Sequence, residues 1–444
     1  MKPRFARSVL LGIASCLLLV VLVGAQDVPV LRYFTWEVAQ LGPEGEAAER
    51  TLLSQCEAEI GIRVELETLR TPEFLDRVAA LAAANDLPDV FGVSSASIDE
   101  WARDGLLLNL QDYVDRDIAP IMDRYFSSAF AMTRYPKPDG DMYAFPYAII
   151  HTVLWYNMDA FDEAGIPYPS EDGWTWDEFL NAAKALTVDR DNDGRIDRYG
   201  FWLYRGRYAQ IEPWIYQNNG DLLNATRTRF EPNDNAIEAL RFLTSLVTEH
   251  GVAPKPSEFA GFRMQDVFPL GFAAMWVDGN WQIANTRAQH REGGRAFRFA
   301  AAPIPRGPHW VQDTAFGWTD MFGIASTTRY PDQAWELIKC LTGEKRTVDL
   351  SFAGKIPVWR ATSESEEWLE LDQMPPNKAF LLEWAQHIGP TTYTMGWSEW
   401  RGYSDGSGLE GMIDAVLEGQ MDLDTMLAEI SVTANQVLAR YYSE

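Results

Sequence analysis

Apolar residues recur along the chain with two alternating spacings. Short runs rich in β-branched and aromatic residues read as strands: "VPVLRYFTW" (28–36), "GIRVELETL" (61–69) and "LPDVFGVSS" (87–95). Between them the period is helical. Ala48, Leu52, Cys56 and Ile60 recur every four residues and predict a helix near 44–60 with Cys56 on its buried stripe. "TPEFLDRVAALAAAN" (71–85) opens with Thr71 as an N-cap and Pro72 at the first helical position. "SIDEWARDGLLLNL" (97–110) predicts a helix that ends at Gly105. Strand, helix, strand, helix, strand is the pattern of a parallel sheet covered by helices.

The rhythm changes at "DGDMYAFPYAIIHTVLWYN" (139–157). A turn leads into an apolar and aromatic run containing Pro146, which reads as a strand leaving one unit and entering another. "WTWDEFLNAAKALT" (174–187) is an amphipathic helix with Thr175 as its cap. Strand-like "YGFWLY" (199–204) follows, then helices near 234–250, 281–290, 331–343 and 408–440. "RAFRFAAAPIPRG" (295–307) and "GKIPVWRAT" (354–362) resemble a second and a third crossing. No internal repeat or low-complexity linker interrupts the pattern.

At 444 residues the chain suits two or three domains, and 47% hydrophobic content can fill their cores. Its 64 Asp and Glu outnumber its 38 Lys and Arg, a net charge of −26 that speaks against a nucleic-acid partner. Lys2, Arg4 and Arg7, the apolar run 8–23 and the small residues of "VGAQD" describe a secretory signal with cleavage after Ala25. An uncleaved membrane anchor is one alternative. Lipidation is the other, since "IASC" (13–16) is similar to a bacterial lipobox, although Cys16 lies inside the apolar run. After cleavage only Cys56 and Cys340 remain, and two buried thiols are expected, with a long-range disulfide as the alternative.

Candidate catalytic chemistry is thin. "GYSDG" (402–406) matches a nucleophile elbow in letters, but polar "SEWR" precedes it and the last histidine, His387, lies before the serine. No His pair has zinc spacing, and no phosphate loop or dinucleotide fingerprint is present. "DRDNDGRIDRYGF" (189–201) is the opening of a calcium loop: Asp189, Asp191 and Asp193 as ligands, Gly194 for the turn, the Arg195 carbonyl, then Asp197. The twelfth position is Gly200 rather than a carboxylate, and a strand follows instead of a second helix. That pattern argues against a sensor and favours a structural calcium, or an Asp-rich turn neutralised by Arg190, Arg195 and Arg198.

Tryptophan changes the picture. Several of the 17 stand beside carboxylates or turn glycines: "FTWE" (34–37), "IEPWIYQNNGD" (211–221), "MWVDGNW" (275–281), "GWTD" (317–320) and "MGWSEW" (395–400). Carbohydrate binding needs this mixture, because sugar C–H faces stack on aromatic rings while the hydroxyls need polar partners. Asp278 and Trp318 are candidates on this ground alone.

In order along the chain, four blocks carry a resemblance: 140–187, "LGFAAMWVDGNWQIAN" (270–285), "GWTDMFGIASTTRYPDQAWELIKCLTG" (317–343) and "MIDAVLEGQMDLDTMLAEISVTANQVL" (412–438). The chain resembles the extracellular solute-binding proteins of bacterial ABC sugar importers, the maltose-binding-protein-like group. The resemblance implies an α/β, periplasmic-binding-protein-like fold. Its two lobes would comprise 26–148 with 303–354 and 149–302 with 355–444, joined by a three-segment hinge around a ligand cleft. It implies a sugar or oligosaccharide ligand delivered to permease subunits, no covalent chemistry, no required cofactor, and a monomer. By position it implies Trp281 stacking on sugar, Glu212 and Trp214 as an acidic and aromatic pair, and Trp36 and Glu37 after the first strand. Ser94 and Ser95 would follow the third strand, and Trp397, interchangeable with Trp400, would serve as a late aromatic. Competing readings are a secreted glycoside hydrolase, a calcium-dependent adhesion or sensor module, and a receptor for a polyol or glycerol phosphate.

Overall fold

The computed structural model describes residues 28–137, 139–203, 207–291, 296–344, 354–389, 393–402 and 406–442. The expected signal at 1–25 and the centre of "GYSDG" lie outside the described residues.

The chain opens with β1 (Val30–Thr35), α1 (Glu37–Ile60), β2 (Arg63–Thr68), α2 (Thr71–Ala83), β3 (Val90–Ser94), α3 (Ile98–Arg103) and α4 (Gln111–Asp117). β1 pairs in parallel with β2 and with β3, so each intervening helix is a crossover. Two boundaries differ from expectation. α1 begins at Glu37 rather than near 44. α2 takes Arg70 as its N-cap, with Thr71 already helical. Proline suits either of the first two helical positions, because neither amide has an intrahelical partner there.

A hairpin of β4 (Arg134–Tyr135) and β5 (Asp141–Met142) leads into β6 (Ala144–Asn157), 14 residues long and buried throughout. β6 changes partners midway. Residues 144–151 pair antiparallel with β10 (Gly317–Ile324), and Ala148 and Ile149 also pair with β11 (Ile356–Pro357). Residues 152–157 pair instead with β8 (Ala273–Gly279) and β9 (Phe299–Ala302). Pro146 is accommodated by an irregularity: Asp320 faces Ala148 while Met321 faces Pro146. A proline lacks the ladder N–H, and a bulge is where a strand tolerates that loss.

Beyond β6 come α5 (Met158–Ala164), α6 (Trp176–Leu186), β7 (Tyr199–Trp202), α7 (Tyr208–Gln217), α8 (Asp234–Thr248) and α9 (Gln282–Arg291). Thr175 caps α6 as expected, with Glu178 bonding back to close the capping box. β7 runs parallel to β8. The strand order is therefore β2-β1-β3-β10-β6-β8-β7, with β9 and β11 also on β6. Three helices close the chain, Trp397–Arg401, Gly408–Leu417 and the 20-residue Leu423–Tyr442. Among the described residues no helix is long and apolar enough to cross a membrane.

The cysteine expectation is corrected. Cys56 of α1 and Cys340 of α10 (Pro331–Thr342) form a disulfide across 284 positions. Both stripes face the same core, so burial brought the two sulfurs together rather than apart. A disulfide of this kind suits an exported chain.

Candidate functional site

Where β6 changes partners, the chain leaves a pocket. Its walls come from distant segments: Trp36 after β1, Ser94 at the end of β3 and Ser97 beyond it, Ile150 of β6, Tyr208 of α7, Trp281 after β8, Trp318 and Asp320 of β10, and Lys355 before β11. Tyr393 and Trp397 close it from the C-terminal region. The empty space is about 840 Å³ counting the part open to solvent.

The rings form a continuous surface. Trp281 meets Trp318 at 5.2 Å between centroids, Trp318 meets Tyr208 at 5.6 Å, Tyr208 meets Trp397 at 5.1 Å and Trp397 meets Tyr393 at 4.9 Å. Two of the tryptophans rest on glycines. A Cβ on Gly92 of β3 would stand 2.4 Å from the Trp36 ring, and one on Gly279 of β8 would stand 1.6 Å from the Trp281 ring. Only a residue without a side chain lets an indole lie flat on a strand at that distance.

Polar groups are few and mostly committed. Lys355 donates to Asp320 at 2.6 Å, both buried, which ties the β11 segment to β10 at the pocket wall. Ser94 and Ser97 hydroxyls lie 3.0 Å apart. Ser95 is turned away from the pocket. It donates to the Thr319 carbonyl at 2.9 Å and accepts from the Thr319 N–H, clipping the loop after β3 to β10. Arg207 and Ser398 also line it.

Behind the aromatic wall lies a layer of buried charge. Asp278 is fully buried, accepts from the Gly279 N–H and from Gln282, and stands outside the lining. Burial pushes its carboxyl up to about 6, opposed in part by Arg207. Glu212 is fully buried and ion-paired with buried Arg401, which also approaches Glu410 at 3.7 Å. Burial raises the Glu410 carboxyl too, against the pull of Arg401 and Arg207. Glu212 is thus a structural ion-pair partner rather than part of the lining.

The other expected residues sort in the same way. Trp214 is fully buried against Phe179, Phe201 and Phe242 and belongs to the core, not the pocket. Its turn-rich surroundings in sequence become the inside of α7, whose residues are buried on every side. Trp400 packs on Phe230 and donates to Thr394, so Trp397 is the member of that pair on the pocket. Glu37 opens α1, and its side chain lies outside the described residues. Sequence reasoning missed Arg207, Tyr208, Lys355 and Tyr393, and quoted Asp320 only as part of "GWTD". Asp320 and Lys355 each lie in a stretch already singled out, but an ion pair between a strand and a distant crossing becomes visible only once the chain is folded.

In the Asp-rich loop, Asp189, Asp191 and Asp197 each place a carboxylate oxygen within 4.8 Å of the others. Asp193 stands apart, accepting the Arg195 N–H at 2.8 Å. Asp189 Oδ2 accepts the Gly194 N–H, and Gly194 has the positive φ, +87°, that this turn requires. Asp189 Oδ1 is buried with no hydrogen-bond partner. Hard oxygen donors with one buried, unpaired atom fit a calcium ion.

Residues 43–347 match the family model described as "bacterial extracellular solute-binding protein". A putative binding protein of Brucella abortus is 26% identical over 243 residues, 52% of this chain and 56% of its own length. The chain thus spans just over half the length of the curated relatives it matches. Among solved structures, an ABC substrate-binding protein from Listeria monocytogenes in complex with cycloalternan aligns with a TM-score of 0.78 at 21% identity. The alignment covers 93% of this chain and 100% of that one. UgpB from Mycobacterium tuberculosis in complex with glycerophosphocholine aligns with a TM-score of 0.75 at 19% identity, covering 93% and 99%. These likenesses show the two-lobe, periplasmic-binding-protein-like α/β fold. One fold carries two different ligands in them, so the ligand here must be argued from the pocket.

Proposed function

The chain belongs to the bacterial extracellular solute-binding proteins, and we propose that it captures a neutral sugar or oligosaccharide in the pocket and delivers it to the permease of an ABC importer. The observation that carries this reading is the run of rings from Trp281 through Trp318, Tyr208 and Trp397 to Tyr393, with Trp36 also on the lining. Pyranose and furanose faces offer C–H groups to such rings, and Ser94, Ser97 and Asp320 offer partners for hydroxyls. Charge supports a neutral ligand: Asp320 and Lys355 neutralise each other, and Arg207 lies under the influence of Asp278 and Glu410. Calorimetry against maltotriose, arabinotriose, xylotriose, glycerol 3-phosphate and a polyol should give a sugar as the strongest ligand. Arg207 on the lining favours one second reading, a phosphate ester, which a strongest response to glycerol 3-phosphate would establish.

The lobes proposed are 26–148 with 303–354 and 149–302 with 355–444. What supports them is the change of partner along β6 after His151. Lobe closure about the three crossings would hold the ligand for the permease. No catalytic role is proposed, and the protein is proposed to act as a monomer. Export by a signal ending at Ala25 is supported by the Cys56–Cys340 disulfide. A calcium ion held by Asp189, Asp191 and Asp197, with the Arg195 carbonyl, would pin the loop between α6 and β7 and leave the pocket alone.

A further inference from the structure

Ser97, on the pocket wall, is the residue from which α3 springs. One turn into that helix, Glu100 reaches a segment 296 positions away: its Oε1 accepts the Gly396 N–H at 2.7 Å. Gly396 is buried and immediately precedes Trp397, whose ring lies on the pocket beside Tyr208 and Tyr393. Arg103 adds to the same contact. Its Nη1 stands 3.2 Å from Met395 Sδ, and its guanidinium lies over the Tyr441 ring at 5.2 Å. Met395 is held from behind by a bond from its N–H to the Tyr442 hydroxyl.

The strands behind these two contact partners differ. α3 follows β3, which pairs with β1 and β10. The Trp397 helix packs with the C-terminal helices, and its Arg401 is anchored on Glu212 of α7. Gly396 has φ +68°, and a Cβ there would stand 2.7 Å from the Tyr441 ring. So position 396 fits between Tyr441 and Glu100 only as glycine.

We propose that Glu100, supported by Arg103, is the positioning group that clasps the Trp397 helix to the β3 side of the pocket and so sets how long a ligand stays bound. The proposal rests on the pocket being the ligand site. Glu100 does not line the pocket, so it acts through Trp397 and not by touching the ligand. A hydrogen bond from a buried amide to a carboxylate is among the stronger single contacts, and leaving that amide unpaired is costly. Burial raises the Glu100 carboxyl above the ordinary glutamate value, the mark of a group withdrawn from water by the element it touches. Arg103 is exposed and bonded also to Asp104, so its share is smaller.

The test is stopped-flow tryptophan fluorescence on the full chain, with whichever of maltotriose, arabinotriose or xylotriose binds most tightly. Glu100→Ala should release that sugar roughly tenfold faster and leave the on-rate within about twofold. Glu100→Gln keeps a carbonyl acceptor and should restore most of the residence time. Glu100→Asp, which withdraws the carboxylate by one methylene, replaces the alanine variant if that one fails to fold. A wild-type off-rate in the variant overturns the clasp. If the wild-type chain binds none of the sugars, the sugar reading fails on its own. The clasp is then judged by hydrogen exchange in the ligand-free protein: faster exchange at Gly396 in Glu100→Ala supports it, and an unchanged rate overturns it.

Discussion

Two aromatic regions of this molecule look alike in sequence and sit differently in the fold. Trp214 with Phe179, Phe201 and Phe242 is ringed by aromatic residues and fully buried. Trp36, Trp281, Trp318 and Trp397 are also largely buried, yet each presents an edge or face to one pocket. Burial therefore does not separate a core ring from a ligand ring. Two of the four differ from Trp214 in their backing. Trp36 and Trp281 lie against bare glycine backbone at Gly92 and Gly279. Trp214 has side chains against it, and none of its area is left over.

Truncation would break that comparison most sharply. Trp214→Ala should cost about 3–5 kcal/mol of stability, seen in denaturant unfolding. Any ligand affinity that survives should match the wild type; a selective loss of affinity at full stability would move Trp214 into the pocket set. Next in size is the buried charge between the two regions. Because the folded-state carboxyl of Asp278 is raised to about 6, the fold holds a proton that the unfolded chain releases near 4. Its contribution is therefore fully present below about pH 4 and lost as pH rises to about 6. Asp278→Asn should flatten that part of the stability profile and gain about 2–3 kcal/mol at pH 7, provided Gly279 and Gln282 accept the amide.

Trp281→Ala should weaken the strongest calorimetric ligand by more than tenfold while lowering Tm little, the converse of Trp214→Ala. Gly279→Ala should reproduce the binding loss with the indole still present, because the added methyl displaces it. Equal affinity in Gly279→Ala and wild type would show that the glycine does not set the ring. The smallest effect belongs to the Asp-rich loop. A calcium chelator should lower Tm by a few degrees and leave sugar affinity unchanged. A shift in affinity would place the metal at the pocket and not at Asp189, Asp191 and Asp197.

Much of the architecture was legible because it is written in local periods. The β1-to-β3 alternation, the capped α6 and the long apolar run that became β6 each depend on residues near one another in the chain. The site was legible only in part. "GNW" and "GWTD" drew attention because a tryptophan beside a glycine or a carboxylate is uncommon in a core. The same reasoning misassigned Trp214, since a polar neighbour in sequence can point to the far side of a helix. It also set Cys56 and Cys340 apart as thiols, because a contact across 284 positions leaves no mark on either helix stripe.

The sequence by itself determined the α/β alternation, the acidic surface, the segments that cross and the Asp-rich turn. Each of these follows from residue type and spacing alone. The tertiary structure decided which tryptophans share a pocket, that Asp320 meets Lys355, that Glu100 meets Gly396 and that the cysteines pair. Those contacts join segments far apart in the chain. Their partners are chosen by sheet order and by the change of neighbours along β6, and no local pattern encodes either.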